Sequence, residues 1–243
     1  EAGAEDPDGP LVRYPTASVY LDAGRIGQMS PMDLQVPGDL SSAAFLITAA
    51  LLVPGSEILL EGLGMNPTRT GYLDVLQSMG ADIAVLEQAV QAGEPVGTLR
   101  IRAGGLNGVE VFGDTVVRMI DEFPILAVAA TQAEGTTVVR DAAELRVKET
   151  DRIAGIAAAL EKMGGAIETH PDGFVVEGPC RLRGAFVDSQ GDHRLAMALA
   201  VAGLIAEGET VVASADCVSD SFPGFSETLQ GLGATIREVG VDG

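Results

Sequence analysis

The feature that most constrains this chain is a pattern that occurs three times. The first copy opens on Gly38-Asp39-Leu40-Ser41-Ser42, continues through an apolar stretch at residues 43–52 and turns at Pro54-Gly55-Ser56. A strand-like run at 57–60, a second helical stretch at 71–79, the pair Gly80-Ala81 and another strand-like run at 82–86 follow. The second copy opens on Ile120-Asp121-Glu122, with an apolar run at 125–130, a turn at Glu134-Gly135-Thr136, a strand at 137–140 and a helix at 151–163 ending in Gly165-Ala166. The third opens on Gly191-Asp192-His193, with an apolar run at 195–205, a turn at Glu207-Gly208-Glu209, a strand at 210–213 and a helix at 223–232 ending in Gly233-Ala234. The opening Asp stands 16, 14 and 16 residues before the turn Gly. Repetition of this kind means one supersecondary unit used three times, each copy burying its apolar face against the others.

The apolar runs carry hydrophobic residues nearly all round, so they read as helices buried on most sides. The second helices are amphipathic: Ile153, Ile156, Ala157, Leu160 and Met163 fall on one face at i, i+3, i+4 spacing. Each ends at Gly, the residue that takes the left-handed turn past a helix C-terminus. The expectation is an α/β fold of three βαβαββ units, at about 36–110, 111–185 and 186–243, packed around buried helices with sheets outside. Residues 1–35 differ. Pro7, Gly9, Pro10 and Pro15 break regular structure, and 17–21 read as one short strand. This segment reads as the tail of something that began earlier.

Charge narrows the function. The formal net charge is −20, which repels nucleic-acid phosphates and an anionic membrane surface alike. A local cationic cluster can still hold small anions. The longest apolar stretch, 43–53, is too short to span a bilayer, and residues 1–8 are acidic and without the apolar run of a secretory leader. Cys180 and Cys217 lie far apart and outside metal-ligand spacing, as do the two histidines. The expectation is a soluble, cytoplasmic protein with two reduced, buried thiols and no metal.

Chemistry concentrates in three places. Leu145-Arg146-Val147-Lys148-Glu149-Thr150-Asp151-Arg152 leads into the amphipathic helix of the second copy. If the helix begins near Lys148, Lys148 and Arg152 share one side, and the free N–H groups of the helix start add to an anion site. A solvated capping segment with Thr150 or Asp151 as N-cap fits the same spacing. Arg194, in Gly191-Asp192-His193-Arg194, falls in the first turn of a buried helix, where a cation opposes the helix dipole. A bound anion explains it, as does pairing with Asp192. His193 reads as a structural hydrogen-bonder or a site residue. Asp121, in Asp121-Glu122-Phe123-Pro124, holds the repeat position of Asp39 and Asp192, so helix capping accounts for all three.

Together these segments resemble the EPSP synthase (3-phosphoshikimate 1-carboxyvinyltransferase) family. The likeness rests on Val36 through Ala44 (VPGDLSSAA), Asn66 through Gly71 (NPTRTG), Asp121 through Pro124, Arg146 through Arg152 (RVKETDR), Asp192-His193-Arg194 and Ser221-Phe222-Pro223, in the family's order. It implies a two-domain enolpyruvyl transferase fold, an inside-out α/β barrel, of which this chain holds one domain plus the end of the other. It implies transfer of the enolpyruvyl group of phosphoenolpyruvate to the 5-hydroxyl of shikimate 3-phosphate with release of phosphate, in aromatic amino-acid biosynthesis, without a cofactor. Residue by residue, it implies Asp121 as proton acceptor and shikimate contact, Lys148 at shikimate 3-phosphate and Glu149 in proton transfer at the phosphoenolpyruvate methylene. Arg152, Arg194 and His193 would hold phosphoenolpyruvate. The family's first half carries a catalytic lysine, an arginine and a serine-rich phosphate site, so the resemblance implies an N-terminal partner half. One position departs: where many members carry a lysine before the Ser/Thr-Phe-Pro motif, this chain has Asp220. Two other functions fit parts of the pattern: a non-catalytic module binding phosphorylated ligands or a partner chain, and the related UDP-N-acetylglucosamine enolpyruvyltransferase.

Overall fold

The computed structural model describes residues 33–240. The chain divides into two compact units, 1–34 and 35–243, and the account below concerns the second. The strand expected at 17–21 lies outside the described residues.

The second copy shows the repeat unit in full. Strands β4 (Leu106–Asn107) and β5 (Glu110–Val111) and a short helix α3 (Asp114–Val117) precede the buried helix α4 (Phe123–Ala130). Strand β6 (Ala133–Val139) follows, then helix α5 (Arg152–Lys162) and the hairpin of β7 (Ala166–His170) and β8 (Gly173–Gly178). β5 lies parallel to β6, and β8 lies antiparallel between β6 and β7. The first copy has the same order: helix α1 (Leu40–Leu52), β1 (Glu57–Gly64), α2 (Gly71–Ser78), β2 (Asp82–Gln91) and β3 (Glu94–Arg102), with β3 antiparallel between β1 and β2. A parallel bridge from Gly38 to Leu63 stands where the second copy has its parallel strand.

The third copy has β9 (Phe186–Asp188), helix α6 (His193–Ile205), β10 (Val211–Ala213) and α7 (Phe225–Gly231), with β9 parallel to β10. Among the described residues no strand runs antiparallel to β10. Residues 235–239 follow the third Gly-Ala as β2 and β7 follow the first two, yet they are in no ladder. The reason is topological: β2 and β7 each pair only through the central strand, β3 or β8. The βαβαββ reading therefore holds in full for the middle copy and in part for the third.

Helices α1, α4 and α6 pack against one another at the centre. Every residue of α4 is buried, and the core runs through Phe45, Ile47 and Leu51 of α1 and Leu195, Leu199 and Val201 of α6. Such helices can bury only polar groups that are satisfied. The buried Thr48 hydroxyl donates to the Ala44 carbonyl (2.8 Å) and lies 2.6 Å from the Tyr72 hydroxyl; that of Thr131 donates to Val128 (2.7 Å).

All three amphipathic helices end in the same double hydrogen bond. Gly80 donates to Gln77 and Ala81 to Leu76; Gly233 donates to Gln230 and Ala234 to Leu229. In the second copy Gly164 donates to Glu161 and Gly165 to Leu160, and Gly164 takes the left-handed conformation (φ 91°). The helix stop expected at Gly165 is thus one residue earlier, and the strand follows two residues after the left-handed Gly, as in the first copy. The 6→1 and 5→2 bonds satisfy carbonyls that the helix end leaves free.

A second glycine recurs where the chain enters each unit. Gly38, Gly108 and Gly184 donate their N–H to the carbonyls of Gly62, Glu134 and Glu207, each at 2.8 Å. A Cβ at Gly108 would collide with the Thr136 carbonyl, and one at Gly184 with the Glu209 carbonyl. Gly184→Ala is expected to lower the unfolding free energy by about 1–3 kcal/mol in urea denaturation. Gly105→Ala, which meets open space, should stay within about 0.5 kcal/mol. Equal effects at the two positions would contradict this reading of the repeat.

Candidate active site

The site residues sit where helix N-termini meet. Asp39 caps α1, its carboxylate accepting from the Ser42 N–H (2.8 Å) and hydroxyl (2.7 Å). Asp192 caps α6, accepting from the N–H groups of Arg194 (2.8 Å) and Leu195 (3.3 Å). Asp121 does not cap α4. Glu122 takes that position without a side-chain cap bond, and Pro124 occupies the first turn. Capping therefore explains two of the three repeated aspartates, and Asp121 is left for another role.

The helix of the RVKETDR segment starts at Arg152, as the span 151–163 anticipates and not near Lys148. Lys148 is extended, Asp151 is the N-cap and accepts from the Ala154 N–H (2.9 Å), and Arg152 is the first helical residue. Lys148 and Arg152 are brought together by the bend ahead of the helix, not by helical spacing. Arg146 fixes that bend. It donates to Asp151 (2.7 Å) and to the carbonyls of His170 and Pro171 in the β7–β8 turn.

Arg152 is the centre of the cluster. Its side chain is 2% exposed, and each guanidinium nitrogen meets a carboxylate from a different segment. Nε donates to Asp192 (2.9 Å), Nη1 to Asp121 (3.1 Å) and Nη2 to Glu149 (2.6 Å). The Thr150 hydroxyl adds a bond to Asp192 (3.1 Å). Lys148 Nζ stands 3.9 Å from the Asp121 carboxylate and 3.0 Å from Glu144. Asp121, Lys148 and Glu149 remain 27%, 24% and 49% exposed, so they face the opening while Arg152 lies behind them. Asp192 pairs with Arg152 rather than with the Arg194 side chain.

A second set joins α1 to α4. Arg69 Nη2 donates to the Ser41 hydroxyl (2.7 Å), and Ser41 stands beside the buried Glu122 carboxylate. Burial pushes the Glu122 carboxyl up, Ser41, Arg194 and Arg69 pull it down, and Asp121 adds repulsion; the outcome is raised. Sequence reasoning passed over Ser41, Arg69 and Glu122. The signal was there in the quoted segments, as a polar residue directly after a capping Asp or before an apolar run. Arg194 has Nε and Nη1 buried without a hydrogen-bond partner, and no hydrogen bond from the His193 side chain occurs among the described residues. Asp220 ends a 3-10 helix, Ala215–Asp220, that packs on α6, and it is exposed.

The arrangement brings cations and helix N-termini together with carboxylates that pair with them. The N-termini of α1, α4, α5 and α6 come together, each carrying about half a unit of positive charge, and Asp39, Asp151 and Asp192 cap three of them. Lys148, Arg152 and Arg194 add full charges. Arg152 is already met by three carboxylates, so within this cluster the guanidinium donors without a partner are Nε and Nη1 of Arg194. No group of His, Cys, Asp and Glu suited to a metal occurs among the described residues. A separate concavity of about 430 Å³, lined by Met65, Leu73, Val96 and Leu99 between α2 and the β2–β3 hairpin, holds none of these residues. No helix among the described residues is long and apolar enough to cross a membrane, and Cys180 and Cys217 are free thiols.

The family model described as EPSP synthase (3-phosphoshikimate 1-carboxyvinyltransferase) matches residues 17–229. A 3-phosphoshikimate 1-carboxyvinyltransferase of Synechococcus sp. is 56% identical over 217 residues, covering 89% of this chain and 48% of its own length. One of Citrifermentans bemidjiense is 52% identical over 205 residues, covering 84% and 48%. The solved EPSP synthase of Acinetobacter baumannii superposes with a TM-score of 0.82 at 40% identity, over 84% of this chain and 48% of that one. The enolpyruvyl transferase NikO of Streptomyces tendae shares the fold at a TM-score of 0.70 and 23% identity. The chain spans about half the length of the curated relatives it matches.

The buried Arg152–Asp192 pair generates a stability prediction. Burial alone would raise the Asp192 carboxyl, but Arg152 and the α6 N–H groups outweigh it and hold it below the ordinary 3.8. A carboxyl lowered on folding stabilises fully above its unfolded value and loses that contribution as pH falls through the folded value. Asp192→Asn should cost about 3 kcal/mol at pH 7, the lower end for breaking a buried pair, because Asp121 and Glu149 still face Arg152. The gap between wild type and variant should narrow below pH 3.8. A gap that is constant from pH 7 to 3 in guanidinium titrations would refute the assignment.

Proposed function

The chain belongs to the EPSP synthase family, and we propose that it carries one half of the catalytic site for transfer of the enolpyruvyl group from phosphoenolpyruvate to the 5-hydroxyl of shikimate 3-phosphate. The observation that supports this most is the cluster of Asp121, Lys148, Glu149 and Arg152 at converging helix N-termini, the residues that the resemblance assigns to this chemistry. The other half of the fold, on this polypeptide or another, completes the site. The same reading places the reaction in the cytoplasm, where free thiols persist.

In this proposal Asp121 accepts the proton of the 5-hydroxyl as its oxygen bonds to C2 of phosphoenolpyruvate, while Glu149 delivers a proton to C3. In the second step Glu149 takes a proton back from C3, phosphate leaves C2, and the double bond is restored. Lys148 holds the shikimate 3-phosphate, and Arg194 with His193 holds the phosphoenolpyruvate. Arg152 takes part once Glu149 yields: Glu149 occupies its Nη2 in the free site (2.6 Å), so a ligand that displaces Glu149 turns the acid toward the substrate and exposes the cation together. Fixed cations stabilise the anionic tetrahedral intermediate without reorganisation at the moment of reaction.

A second function, binding of phosphorylated ligands without turnover, is favoured by one observation, the exposed Asp220 where many members carry a lysine. The deciding assay is phosphate release from phosphoenolpyruvate plus shikimate 3-phosphate, with the chain alone and with the N-terminal half of the Synechococcus relative. Turnover is expected in the mixture only. Glu149→Gln in the mixture should lower kcat at least about 100-fold and change KM far less. Ligand binding without phosphate release, under conditions where the intact relative turns over, would favour the binding module. Unchanged turnover in Glu149→Gln would remove Glu149 from the mechanism.

A further inference from the structure

Arg194 poses a physical problem that its backbone position does not resolve. It is the second residue of α6, where a cation faces the positive end of the helix. Its Nε and Nη1 are buried without hydrogen-bond partners, a cost that an ion-paired arginine avoids. Among the described residues no carboxylate forms a salt bridge with it, since Asp192 is committed to Arg152.

What does face it is an aromatic ring. The Arg194 Cζ stands 6.0 Å from the centroid of Phe45, a residue of α1 that is 1% exposed. Phe225 meets Phe45 edge-on (6.2 Å between centroids, 81° between planes), and Phe222 meets Phe225 at 5.4 Å and 62°. Phe222 belongs to the Ser221-Phe222-Pro223 motif, so the stack ties the segment after Asp220 to α1 and, through Phe45, to the guanidinium.

We propose that Phe45 is a positioning residue for anion capture, its ring face holding the Arg194 guanidinium over the converging helix ends while leaving the N–H edge free. A carboxylate partner would neutralise the cation and occupy the donors that a ligand needs. A ring quadrupole attracts the cation and occupies none of them. In a desolvated setting that attraction is large enough to orient a side chain, and the edge-on ring beneath fixes the plane of the holder. The inference rests on the reading of Arg194 as an anion ligand.

The test replaces Phe45 in the full chain with phenylalanines bearing one, two and three ring fluorines, which weaken the face quadrupole in steps while nearly preserving shape. Phe45→Leu is the wider perturbation. Two readouts follow each variant, with the N-terminal half of the Synechococcus relative present: phosphoenolpyruvate affinity by titration calorimetry, and the Arg194 Nε–H resonance in chain labelled with ¹⁵N-arginine. Affinity should fall stepwise with fluorination and about tenfold or more in Phe45→Leu, and the resonance should move in the same steps without ligand. Equal affinity and a stationary resonance across the fluorinated series would overturn the role of Phe45. A wild type that binds no phosphoenolpyruvate, with the resonance still tracking fluorination, would overturn the anion-ligand reading of Arg194 instead. With Phe45→Leu misfolded, the fluorinated series alone decides.

Discussion

The buried guanidinium of Arg152 is the interaction on which the site depends. A lone charge at 2% exposure is untenable. It persists because Asp121, Glu149 and Asp192 each meet one of its nitrogens. These carboxylates come from the start of α4, the bend before α5 and the start of α6. One side chain therefore ties the second copy to the third and orders the ends of three helices. Asp192 serves twice, as cap of α6 and as counter-ion of Arg152, and among the described residues no carboxylate forms a salt bridge with Arg194.

The same geometry bears on how a chain of this net charge holds the anionic ligands proposed for it. At −20 the far field repels them. Within a few ångströms the local arrangement of charges matters more than the net charge, because partly buried charges are screened much less than exposed ones. The acids among the site residues are in contact with cations, so they contribute hydrogen-bond acceptors and proton carriers more than repulsion. Glu122 is the exception, buried and raised. It shares its environment with Ser41, Arg69 and Arg194, which links the first copy to the site.

The repeat was legible because its signals are local. Gly at each helix stop and turn, and Asp before the buried helices α1 and α6, act through neighbouring atoms, so sequence spacing shows them. The capping of α1 and α6 by Asp39 and Asp192 followed directly. Asp121 broke the pattern because Pro124 and Glu122 shift the start of α4, and no spacing reveals that. The start of α5 was read to within one residue, but the bend ahead of it was not. Asp151 is the cap, and Arg146 binds the β7–β8 turn about 25 residues away, a partner invisible along the chain. Gly38, Gly108 and Gly184 share one role, yet they precede their copy's Asp by different distances and so do not register as a repeat. The ring under Arg194 is beyond periodicity altogether, since Phe45 reads in sequence as one more apolar residue of a buried helix. The third copy lacks its central strand among the described residues, and a strand without a ladder has no signature of its own.

The central claim is that Arg152 and Asp192 form one cooperative buried unit. The most direct measurement is a double-mutant cycle in unfolding free energy at pH 7, with Arg152→Met, Asp192→Asn and the pair. The account predicts a coupling of about 1–3 kcal/mol, with the double variant destabilised less than the sum of the singles. Additivity within about 0.5 kcal/mol would mean that the two residues act independently, and would contradict it.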